Sequence, residues 1–187
     1  MARHINTIWF VLVALILSLT LFFPQWLSRE SISGFLGQMG AMAIVVYVLL
    51  CLTRSLLLLP STPFILAGAV SFPQSLFLIA LISFLGIVVG GFLVYSFPSF
   101  GSYDELLEEK YPAKIANLKR KMHSKYAFWI VAGWSFFPLV PTDAVCYVAG
   151  VAKMPFRKVA VAMLLGQTPV VAAYIFLGAE FGEWLRV

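Results

Sequence analysis

The stretch FFPLVPTDAVCYVAG (residues 136–150) places an acid, Asp143, directly behind two prolines, Pro138 and Pro141, in an otherwise apolar run. An acid at the centre of a membrane helix costs about 2.5–3.5 kcal/mol, so it needs a reason to be there. One reason is chemical: a carboxylate that takes a proton or meets a lipid headgroup in a wet groove. The other is local: Thr142-Asp143 after Pro141 is a good cap for a helix starting there. Both readings stay open. Arg54 has two readings of its own, as a headgroup ligand or as a cation at a helix end whose long side chain reaches the interface. An Arg54–Asp143 pair is conceivable, but sequence alone does not join them. Thr142, Tyr147 and Gln167 complete the polar set for such a substrate or proton site, and Gln167 also suits a purely structural bond between helices. Lys153, Arg157 and Lys158 form a basic interface that serves first as a topology signal.

The elements that must hold these residues are membrane helices. The chain has 187 residues, 61% of them hydrophobic and only 11% charged, and its mean hydropathy is +0.95. A soluble domain carries about 25% charged residues. Length suits one domain over residues 1–187. Full spans are expected at about 7–27, 37–59, 75–97 and 159–179, the last interrupted by GQTP (166–169), with the polar link SRESISG between the first two. Trp9 and Trp26 read as interfacial anchors of the first span, which is taken as retained and not as a signal peptide. Residues 1–53 thus supply N-terminal spans, and 54–181 a core.

Two segments are too broken to cross. Pro60 and Pro63 stop a helix, because proline lacks an N–H and clashes one turn back. The apolar piece up to Pro73 then covers about half a bilayer. Residues 126–152, broken at Pro138 and Pro141, behave alike. Ala67-Gly68 matches Ala149-Gly150, each glycine precedes a proline by five residues (Pro73, Pro155), and Gly86 and Tyr95 match Gly166 and Tyr174. Repeats at 59–97 and 126–181 follow, and one full span between them makes the repeat inverted. Both half-helix hairpins are then re-entrant, and their tips meet in a hydrated cavity, since irregular backbone at that depth must be buried or wet.

Between them, Leu107, Tyr111, Ile115, Leu118 and Met122 recur at helical spacing, divided by Pro112, with Ser102 as cap of an amphipathic, interfacial stretch. Its basic end, Lys110 to Lys125, suits anionic lipid headgroups or a solvated cytoplasmic loop obeying the positive-inside rule, and not nucleic acid. Counting basic residues, 98–125 and 153–158 fall on the cytoplasmic side and both termini outside. Cys51 and Cys146 define no disulfide framework, and no metal-ligand spacing occurs.

The blocks RSLLLLPSTPFILAGAVSFP, GIVVGGFLVYSF and FPLVPTDAVCYVAGVAKMPFRKVAVAMLLGQTPVVAAYIFLGAEF, together about residues 54–181, resemble the DedA superfamily, also called the SNARE-associated Golgi protein or VTT-domain family, in its Tvp-like branch. The resemblance implies facing re-entrant hairpins and lipid movement between leaflets, as a scramblase or flippase for phospholipid or polyprenyl phosphate. Arg54, Pro60, Pro63, Gly68, Pro138, Pro141, Asp143, Tyr147, Gly150 and Arg157 fall on the branch's pattern. The chain departs from that pattern in three places: Ser135 replaces a common arginine, Phe64 and Ile65 follow Pro63 where an acid is common, and Gln167 replaces a basic residue.

The expectation is therefore an all-α integral membrane protein with about four full transmembrane helices, two facing re-entrant hairpins in an inverted repeat and an interfacial helix. It moves lipid headgroups without making bonds, so it is not an enzyme and needs no cofactor, and no catalytic residue is assigned. Its partners are membrane lipids, with homo-oligomers left open, and its place is the inner membrane if the source is bacterial. A proton-coupled solute or ion transporter and a structural partner of other membrane proteins remain as alternatives.

Overall fold

Proline and glycine punctuate an almost wholly helical chain. The computed structural model describes residues 5–100, 103–137 and 140–176, and no strand occurs among them. Helix α1, Ile5–Phe22, ends before a 3-10 turn at Pro24–Leu27. The expected polar link is instead a helix, α2, Arg29–Gln38. The Ser28 hydroxyl accepts from Ser31 N at 3.2 Å and caps it, and Ile32 and Leu36 bury one side of it. A cap plus two apolar residues a turn apart is enough to fold a segment whose composition reads as loop.

Helix α3, Ala43–Thr53, continues through a 3-10 turn, Arg54–Leu57. Leu58 then adopts a left-handed conformation, φ 53°, and the chain reverses into α4, Thr62–Ser71. Helix α5, Leu76–Ser96, follows. Pro112 divides the surface segment as expected, into α6, Tyr103–Lys110, and α7, Pro112–Met122. Ile115 and Met122 are buried, but Tyr111 is exposed because the proline shifts the phase of the stripe. Ser102, the expected cap, lies outside the described residues.

The second half repeats the succession of the first. Helix α8, Ala127–Phe136, is followed by a break, then α9, Thr142–Val151, and α10, Phe156–Phe176. The short helices α4 and α9 both have 10 residues and the long helices α5 and α10 both have 21. Each short helix packs on the long helix of the other half, α9 on α5 and α4 on α10. Matching glycines set matching approaches. A Cβ at Gly86 would stand 2.8 Å from the Cys51 carbonyl oxygen on α3, and one at Gly166 would collide with the Ala132 carbonyl on α8. Pro169 sits inside α10, yet the helix runs unbroken through GQTP, contrary to expectation.

Three helical segments among the described residues are long and apolar enough to cross a membrane: Gly40–Leu57, Pro73–Ser99 and Phe156–Phe176. Helix α1 covers most of the expected first span, with an apolar stretch at Thr7–Thr20 among the described residues. In α5, Phe77, Leu81, Leu85 and Phe92 are exposed along one stripe while Ile79, Ile82, Gly86, Ile87 and Val94 are buried along the other. Apolar side chains facing outward beside a small-residue packing face are what lipid-embedded helices require. The protein is an integral membrane protein. Trp9, expected at the interface, is instead buried, and its indole N–H donates to the Leu56 carbonyl at 2.6 Å.

Candidate functional site

The two chain breaks come together. Pro60, Ser61 and Thr62 from the first, Val140, Thr142 and Asp143 from the second, Arg54, and Gln167 and Val170 of α10 line one cavity. Each break creates a helix start. Pro63 lies in the first turn of α4, and Pro141 is the residue before α9. Helix starts leave backbone N–H groups without intrahelical partners and carry the positive end of the helix dipole. The cavity therefore receives two such starts. The expected break at Pro138 lies outside the described residues.

At its wall, Arg54 Nη1 donates to Asp143 Oδ2 at 3.2 Å and to the Leu59 carbonyl at 3.0 Å. Only 6% and 4% of the two side chains are exposed. Asp143 lies in the first turn of α9, behind Pro141 at the cap position, and the Arg54 side chain turns inward to it. A buried ion pair without further partners gains little over its desolvation cost, and the Leu59 carbonyl supplies one such partner. The left-handed turn at Leu58 aims that carbonyl back at Arg54.

Gln167 Nε2 donates to Thr142 Oγ1 at 2.6 Å and ties α10 to the start of α9. Cys146 lies one turn further along α9, its Sγ 3.6 Å from the Thr142 carbonyl and 3.1 Å from Met163 Sδ, and it is fully buried. Cys51 is buried too, beneath Gly86. Helix α4 is enclosed from Thr62 to Ala69, so the first break is walled by protein and not by lipid.

The expected wet hollow is nearly shut. The cavity measures about 10 Å³, room for roughly one water molecule. Tyr147 is not part of it: its ring stacks on Trp9 at 5.7 Å between centroids, against α1. Gly68 and Gly150 are packing positions, one against the Tyr47 ring and the other against the Tyr95 carbonyl. Lys153 pairs with the buried Asp104 at 3.3 Å, while Arg157 and Lys158 are exposed. Ser61 and Asp104 were not among the expected site residues. Asp104 carried no signal beyond a helix-start acid, since its partner lies 49 positions away on another turn.

The departures from the family pattern fit their surroundings. Ser135 is buried, its hydroxyl donates to the Val131 carbonyl at 2.8 Å, and its Cβ faces Gly166. A longer side chain there would strike α10. Phe64 and Ile65 are core residues of α4.

Searches of curated proteins and of solved structures give no match. A family model, the VTT domain, matches residues 59–180, which spans α4 to α10 and both chain breaks. The chain thus belongs to the VTT-domain family, that of DedA and the SNARE-associated Golgi proteins.

Proposed function

We propose that the protein moves phosphate-bearing lipid headgroups, of phospholipid or polyprenyl phosphate, between the leaflets of a cell membrane as a scramblase or flippase. One observation carries this reading: two chain breaks converge on a buried Arg54–Asp143 pair beside two helix starts. A headgroup cannot cross hydrocarbon unaided. Arg54 and the two helix starts offer it positive charge and N–H donors, each start contributing about 0.3–2 kcal/mol.

The cavity of about 10 Å³ represents the closed form. Transport requires α4 and α9 to part at their starts. The phosphate then replaces Asp143 as partner of Arg54, so the guanidinium always has an anion beside it. Acyl tails remain in lipid, and no covalent bond changes. The two matching halves, with short helices exchanged onto each other's long helix, support an inverted repeat of re-entrant hairpins that opens towards either side in turn.

The cavity's size favours a second reading, proton-coupled transport of a small solute, because one water and one protonatable carboxylate suit a proton better than a headgroup. Reconstitution separates the two. In vesicles carrying fluorescent phospholipid or polyprenyl phosphate, the wild type should expose inner-leaflet probe to an external quencher well above protein-free vesicles, and Asp143→Ala and Arg54→Ala should lower that rate. No lipid movement, with solute uptake driven by a pH gradient, would replace the first reading by the second.

A further inference from the structure

A second cavity, of about 230 Å³, lies between the turn joining α7 to α8 and the loop joining α9 to α10. Its polar lining is His123, Ser124, Lys125 and Lys158, and Phe128 and Met154 contribute to an apolar floor. No acid lines it. Two nearby acids are already paired, Glu108 with Lys119 at 2.7 Å and Asp104 with Lys153. Two helices begin at its rim, α8 at Ala127 and α10 at Phe156, and no side chain caps the start of α8. Arg120 and Lys121 in the last turn of α7 add to the positive field.

We propose that this cleft binds one phosphate group, that of an anionic lipid lying at the membrane surface. Lys125 and Lys158 supply the charge and the Ser124 hydroxyl supplies a neutral donor. His123 adds a charge only when protonated: its Nδ1 lies 2.9 Å from the Lys119 carbonyl, which can only accept, so the proton of the neutral ring sits on Nδ1 and leaves Nε2 bare. Two helix starts facing an anion reinforce the lysines. Phe128 and Met154 distinguish a lipid from a free ion, because a chain can lie on them while its phosphate meets the lysines. The cleft shares no residue with the Arg54–Asp143 cavity, so binding here stands or falls independently of transport.

The test uses the full chain in zwitterionic detergent, with native mass spectrometry reading bound lipid. Dioleoylphosphatidylglycerol should be retained as one molecule in preference to dioleoylphosphatidylcholine. Lys125→Gln with Lys158→Gln should weaken that binding about tenfold or more. Lys110→Gln with Lys114→Gln removes the same charge from α6 and α7 outside the cleft and should weaken it less than about threefold. All four lysines are exposed, and melting curves matching wild type confirm the fold. Inorganic phosphate should compete only at far higher concentration. Equal losses in both double variants, equal retention of the two lipids, or phosphate ion held as tightly as phosphatidylglycerol would each overturn the assignment.

Discussion

Arg54 and Asp143 lie 89 positions apart and meet in the interior with almost no exposure. Removing one partner strands a buried charge, which typically costs about 3–5 kcal/mol. Asp143→Ala and Arg54→Ala should each lower the detergent melting temperature sharply. Arg54→Met with Asp143→Leu should lose much less than the sum of the two, and a double-mutant cycle would measure the difference. If the single variants melt like wild type, the pair is not closed in solution. Sequence showed that Asp143 needed a reason, because a carboxylate in an apolar run is expensive wherever it ends up. It could not show the partner, since Arg54 sits at the end of a span like any interfacial cation. Only the left-handed turn at Leu58, a residue type that gives no hint of positive φ, brings the Leu59 carbonyl to that arginine. Tyr147 lies away from that cavity for a related reason. It lies four residues from Asp143, yet its ring extends to α1, and nothing in its own segment announces Trp9 as a neighbour.

At the scale of elements, close backbone approach governs which helices can pair. Gly166 touches the Ala132 carbonyl and Gly150 the Tyr95 carbonyl, whereas a methyl at Gly133 would meet nothing within 4 Å. Gly166→Ala and Gly150→Ala should each destabilise by about 1–3 kcal/mol, as overpacking against backbone does. Gly133→Ala should be neutral or stabilise by up to about 1 kcal/mol through helix propensity. Thermal melts of the three variants against wild type check the order. The broken segments were readable because proline acts locally: α4 begins around Pro63, and Pro73 follows the end of that helix. The long helices were readable from sustained hydropathy. The α2 helix was not, since its stability comes from Ser28 and from packing on α4, and tertiary contact does not register in composition. Pro169 misled in the opposite direction: α10 runs on through it, packed along α8 and α5.

Across the whole molecule, two similar halves meet at a cavity of about 10 Å³, and under the proposed transport a lipid headgroup needs them to separate. A covalent tether across the two breaks should therefore abolish transport while leaving the melting temperature equal to wild type or higher. Ser61→Cys with Val140→Cys, oxidised and then reduced in the same vesicles, tests this: activity should disappear on oxidation and return on reduction. Activity that persists through complete cross-linking would move the pathway elsewhere.

The chain's two thiols give the proposed opening a built-in reporter. Cys51 and Cys146 are both sequestered in the resting form, and Cys146 lies one turn from Thr142. Maleimide should be ignored by the resting protein and should alkylate Cys146 only during excursions that admit water to the α9 start. The rate of that labelling then serves as a clock for opening, read on unmutated protein without any transported cargo.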